Sequence, residues 1–243
     1  MSDKPIWALS ATELVKKTKN NDLSATEITF AYLEHIKTIN PELNAIVDDM
    51  SKEAIKRAEN LDSAAKSGDS KGRLFGVPVT VKINVDQKGY ATSNGVSALK
   101  NSIASQNAPI VDHLLNAGAI FVGRTNTPEF SFRAETENPL YGRTHNPWGK
   151  HLSPGGSSGG ASSAVMSGMC ALAHGNDIGG SLRFPSVATG AVTLKPGLGR
   201  VPAWNSSQTN ERGILAQSMS VQGLITRSAH DLQLAMPEII KSD

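Results

Sequence analysis

The feature that most constrains this chain is a run of 26 residues, His151 to Asn176, that contains no Asp, Glu, Lys or Arg. So long a stretch without formal charge suits a membrane span, a buried core or a flexible linker. Pro154, repeated glycines and six serines make it too polar and too broken to span a bilayer. Its Gly/Ser composition alone describes a linker. Against that, small and apolar residues continue from Ala161 to Ala173, which reads as a helix buried all round. Glycine-rich backbone at a buried helix start points to close approach of an anion, a ligand or a second backbone. The Gly-Lys-Ser/Thr ending of a phosphate loop is absent, and no strand with dinucleotide-fingerprint spacing precedes the glycines.

Around this run the chain reads as α/β. Ser10-Ala11-Thr12-Glu13 and Ser24-Ala25-Thr26-Glu27 both fit a capping box, opening amphipathic helices. The second is expected to stop at Asn40-Pro41. A third helix is expected from Ser51 to Lys66, so residues 1–70 read as a helical segment packing on the core. Val77 to Ile83 and Ala119 to Gly123 are short apolar strands separated by a helix over Ala108 to Ala117. Strand–helix–strand order with such strands predicts a largely parallel sheet covered by helices. Ala229 to Ile240 reads as an amphipathic helix, and residues 204–212 as an exposed loop.

Bulk composition excludes several functions. With 24 Lys+Arg against 22 Asp+Glu, nothing marks a nucleic-acid or membrane partner. The single cysteine, Cys170, excludes an intramolecular disulfide framework. With no secretory leader pattern at Met1 to Trp7, a cytoplasmic location is expected. The six histidines form no metal-ligand spacing.

Two further positions carry chemistry. Lys82 sits in the apolar strand, where it either reaches solvent from an edge or loses its charge and becomes a base near neutral pH. Gly175-Asn176-Asp177-Ile178-Gly179-Gly180-Ser181-Leu182-Arg183 is either a plain turn or a sharp one. A sharp turn would bare consecutive N–H groups beside a nucleophilic serine.

Taken together, Lys82, the Gly155-Gly156-Ser157-Ser158-Gly159-Gly160 block and Asp177 to Arg183 resemble the amidase signature family in order and spacing. Lys82 to Ser157 is 75 residues and Ser157 to Ser181 is 24. Gly76 to Val81, Gly123 to Phe130, Asn146-Pro147-Trp148 and Gly199 to Pro202 are also similar to that family. The resemblance implies an α/β core with a central mixed, largely parallel sheet, of which residues 71–243 form the first half, and an amidohydrolase that uses no metal and no cofactor. It implies Ser181 as nucleophile, Ser157 as the bridging serine after a cis peptide bond, and Lys82 as base. The N–H groups of Ile178, Gly179, Gly180 and Ser181 would form the oxyanion hole, while Asp177 and Arg183 brace the loop. Asn176 stands where the family usually has threonine, and Ile83-Asn84 follow the lysine where an acid is common. Family members are about twice as long, so a complementary C-terminal fragment or chain is an expected partner, besides an amide substrate. A glutaminase-type subunit of a tRNA-dependent amidotransferase is the alternative reading. An inactive chain serving only as a binding partner is another, and the oligomeric state is open.

Overall fold

The computed structural model describes residues 4–68, 71–208, 210–211 and 213–240. The boundary expected at residue 70 and part of the expected loop, residues 209 and 212, lie outside them.

Both capping boxes form. Ser10 and Ser24 accept the N–H of Glu13 and Glu27, and those carboxylates accept the serine N–H groups in return, opening α1 (Ala11–Lys19) and α2 (Ala25–Leu43). Contrary to expectation, Pro41 lies inside α2. Asn40 Oδ1 accepts the N–H groups of Ala45 and Ile46, and Asn44 takes φ 49°, so the helix ends at Leu43, two residues after the proline. A proline this near the carboxyl end removes a single helical N–H bond and leaves almost no helix beyond it to kink.

The chain then runs β1 (Ile46–Asp49), α3 (Ser51–Lys66), β2 (Pro78–Lys82), α4 (Pro109–Asn116), β3 (Ile120–Thr125), the two-residue strands β4 (Glu137–Asn138) and β5 (Gly142–Arg143), and α5 (Gly159–Met166). After these come β6 (Leu172–Asp177), α6 (Arg183–Thr189), β7 (Val192–Thr193), α7 (Ile214–Met219), β8 (Val221–Thr226) and α8 (Ala229–Ile239). Six strands form one sheet in the order β1-β3-β2-β6-β8-β7. Its centre, β3-β2-β6, is parallel, while β1 and β8 run against it. This is the expected mixed, largely parallel α/β sheet. The sequence reading had no counterpart for β1, β6 or β8. For β6 the reason is physical: Leu172 and Ala173 continue an unbroken apolar run, which periodicity cannot divide between helix and strand.

Alternation along β2 sends Val79 and Val81 into one core with Ile110 and Leu114 of α4 and Met236 of α8. Thr80 and Lys82 take the opposite side. There Ala161, Ala164 and Val165 of α5 pack with Ile120 and Val122 of β3, and Thr80 Oγ1 lies 3.5 Å from Cys170 Sγ. Helix α5 is buried on every side from Gly159 to Val165, as its charge-free sequence requires. Among the described residues no helix is long and apolar enough to cross a membrane.

Candidate active site

Parallel strands bring their carboxyl ends to one edge, the usual place for a ligand crevice in an open α/β sheet. The register Val79↔Leu172 and Thr80↔Ala173 places Lys82 at the end of β2 near Asn176 and Asp177 at the end of β6. The segment leading into α5 crosses the same edge. Lys82 is completely buried, so it is not a strand-edge lysine reaching water. Its Nζ lies 2.7 Å from Ser157 Oγ, 2.9 Å from Asn176 Oδ1 and 3.1 Å from Ser158 Oγ. Burial lowers its pKa to about 7, against a smaller opposing pull from Asp177.

The Gly155–Gly159 segment is fixed by side chains that the sequence reading did not single out. Thr127 donates to Ser157 O (2.9 Å), while Thr136 donates to Gly155 O (2.8 Å) and accepts from Gly159 N. At Gly156 a Cβ would stand 2.3 Å from Arg133 O, so only glycine fits. The Gly156–Ser157 peptide bond is cis. Ser158 N donates to Ser181 O (3.3 Å), tying the two serine segments together.

Asp177 organises the turn that carries Ser181. Its carboxylate accepts from the N–H groups of Gly180 (2.8 Å) and Leu182 (3.1 Å) and pairs with the Arg183 guanidinium at 3.0 Å. Burial alone would raise the pKa of Asp177, but these hydrogen bonds outweigh it and hold the group below its ordinary value. Gly180 N–H, one of the four expected oxyanion donors, is therefore committed to Asp177. Among the described residues, the N–H groups of Ile178, Gly179 and Ser181 have no partner.

Beneath the site, His174 is buried with Nδ1 3.4 Å from Lys82 N and Nε2 2.8 Å from Gln222 Oε1. Burial depresses its pKa to about 4, which keeps the ring neutral. Nothing in the sequence distinguished it from the other histidines. The 204–208 segment is not simply an exposed loop either. Asn205 is buried, donates to Asn84 O and accepts from Asp86 N, while Asp86 accepts from Ser206 and from Ser207.

Ser157 and Ser181 open onto one cavity of about 790 Å³, whose walls include Phe130, Phe132, Ile178 and Phe184. That volume suits a small organic ligand. An α/β sheet with a buried lysine and two serines at its carboxyl edge, beside an apolar cavity, defines the class of protein. The amidase family model matches residues 27–243, and the chain belongs to that family.

The chain is 48% identical to an indoleacetamide hydrolase of Bradyrhizobium diazoefficiens over 98% of its own length and 46% of the relative's. It is 35% identical to a glutamyl-tRNA(Gln) amidotransferase subunit of Caldanaerobacter subterraneus subsp. tengcongensis, over 98% and 47% respectively. The crystal structure of a bacterial aryl acylamidase of the amidase signature family superposes with a TM-score of 0.91 at 31% identity, covering 99% of this chain and 49% of that one. The chain thus spans about half the length of the curated relatives it matches.

Proposed function

We propose that this chain carries the catalytic centre of a serine amidohydrolase, in which Ser181 is the nucleophile, Ser157 relays protons and Lys82 is the base. The observation that carries the reading is the fully buried Lys82 amine, 2.7 Å from Ser157 Oγ, on the cavity that Ser181 also lines. A lysine can take a proton only when neutral, and burial makes that form abundant near pH 7.

The steps balance with the amide and one water as the only reactants. Ser181 Oγ bonds to the carboxamide carbon, its proton passes to Ser157 Oγ, and the Ser157 proton passes to Lys82 Nζ. The carbonyl electron pair moves onto oxygen, which the Ile178 and Gly179 N–H groups receive. Each such donor contributes on the order of 3 kcal/mol to lowering the barrier. Collapse expels the amine, which takes the proton back through Ser157. Water then repeats the sequence on the acyl-Ser181 ester and releases the carboxylate.

The aromatic wall of Phe130, Phe132 and Phe184 favours an aromatic or arylalkyl amide, in keeping with the indoleacetamide hydrolase at 48% identity. The amidotransferase subunit is the weaker parallel at 35%. Because relatives are about twice as long, we also propose a complementary polypeptide that covers the exposed Val187, Leu194 and Leu198. The lone, buried Cys170 accords with a reducing compartment such as the cytoplasm.

Intact-mass analysis before and after treatment with a fluorophosphonate serine probe tests the reading. One probe adduct is expected on the wild type and none on Ser181→Ala. A second mass in the untreated sample would identify the complementary chain. Full labelling of Ser181→Ala would end the assignment.

A further inference from the structure

Lys82 Nζ has three polar neighbours: Ser157 Oγ, Asn176 Oδ1 and Ser158 Oγ. An ammonium group would donate to all three. A neutral amine has two N–H bonds and one lone pair, so one neighbour must donate to it. Which neighbour does so decides whether the base faces the relay serine.

Two of the three are held as acceptors. Asn176 and Asn84 form a reciprocal amide pair: Asn84 Nδ2 donates to Asn176 Oδ1 (3.2 Å), and Asn176 Nδ2 donates to Asn84 Oδ1 (2.9 Å). Asn84 Nδ2 also donates to Ser131 Oγ, which anchors the pair. Turning the Asn176 amide over would set its Nδ2 against Asn84 Nδ2, donor against donor, and its Oδ1 against Asn84 Oδ1, so the pair holds Oδ1 toward Lys82. The Ser158 hydroxyl directs its proton to the main-chain carbonyl of Asn176 (3.4 Å), leaving its oxygen to accept from Lys82. Among the described residues, the Ser157 hydroxyl has no partner but Lys82. Its proton is the one left to meet the lone pair.

We propose that Asn176, fixed by Asn84, and Ser158 are positioning residues that absorb both N–H bonds of neutral Lys82 and so aim its lone pair at Ser157. The proposal rests on the reading of Lys82 as the base. Asn176 departs here from the threonine usual in the family, and its amide reaches Lys82 and Asn84 at once, which a hydroxyl on a shorter side chain does not. The other charged or titratable groups around Lys82 are Asp177 and His174 of β6 and Arg124 of β3, while α5 contributes none. Substitution at 176 alters none of them.

The test is the rate of phosphonylation of the whole chain by a fluorophosphonate, followed against probe concentration and pH, with thermal melts as a control for folding. Asn176→Leu and Ser158→Ala should each slow the saturated rate constant roughly tenfold to hundredfold, within the span that a positioned base supplies, with probe affinity unchanged. Asn176→Thr should recover much of the loss by restoring an acceptor. Asn176→Asp should hold the ammonium form and move the acid limb of the pH profile up by about 1–3 units. Wild-type rate constants and pH profiles in Asn176→Leu and Ser158→Ala would overturn the positioning role alone. Wild-type reactivity in Lys82→Met or Ser181→Ala, or no reaction of the wild type, would overturn the reading beneath it.

Discussion

Lys82 links chemistry and stability through one proton. Its ordinary pKa is 10.5 and burial brings it to about 7 in the folded chain. Between those values the unfolded chain binds a proton that the folded chain lacks, so stability rises with pH from about 7 to 10.5 and is lowest below 7. The full swing is on the order of 5 kcal/mol. Lys82→Met removes it. Melts of wild type and variant at pH 6 and pH 9.5 should show the wild type gaining on the variant as pH rises, and a constant difference between them would contradict the burial argument. Activity should follow the same titration, with kcat/KM falling below an apparent pKa near 7. At this scale the sequence was informative about Lys82, Ser157 and Ser181, because a charge in an apolar strand and serines among glycines are visible anomalies. It marked Asn84 only as a departure beside the lysine, and it was silent on Asp86, His174 and Asn205. Their roles come from polar partners up to 121 residues distant, such as Asn205 on Asn84, and polar residues leave no local pattern.

Elements that seat the site depend on contacts too close for a side chain. Where α5 opens against β1 and β3, a Cβ at Gly160 would stand 2.5 Å from Asn126 N and 2.9 Å from Ala45 O, both backbone atoms. Gly160→Ala must therefore push α5 off the sheet, costing roughly 3 kcal/mol by overpacking. Because Ser157 and Ser158 lead directly into α5, phosphonylation should slow in that variant even below its melting temperature. A variant with wild-type melting and labelling would mean that the helix start yields freely. The charge-free run announced a buried helix, and the reason is now geometric: a backbone-to-backbone approach leaves room for glycine, and a helix enclosed on all sides has no place for charge. Periodicity could not find the helix end at Met166, nor β1, whose four residues include Asp48 and Asp49. Asp48 is tolerated there because it pairs with the buried Arg124 of β3 at 3.1 Å.

Across the whole molecule, the first and last helices close on each other. Asp231, in the first turn of α8, donates its N–H to the Ser228 cap, and its carboxylate accepts from Thr12 N (2.8 Å) and Thr12 Oγ1 (2.9 Å) at the start of α1. Arg227, just before α8, donates to the carbonyls of Leu9, Val165 and Cys170, joining the N-terminus, the end of α5 and the approach to β6. Residues of α1 and α8 also share one apolar cluster with β2 and α4, so a fault in the α1–α8 contact should reach the central strands. Asp231→Ala strands two donors and should cost about 2 kcal/mol. For a chain of this size that lowers the melting temperature by roughly 4–8 °C. Far-UV circular dichroism and hydrogen exchange separate two modes of failure. If the ends are part of one cooperative unit, amides of β2, β3 and β6 lose protection together with those of α1. If only α1 exchanges faster while the melting temperature holds, the helix is a docked appendage, and Lys82 is buried by the sheet and α5 without help from the terminal helices.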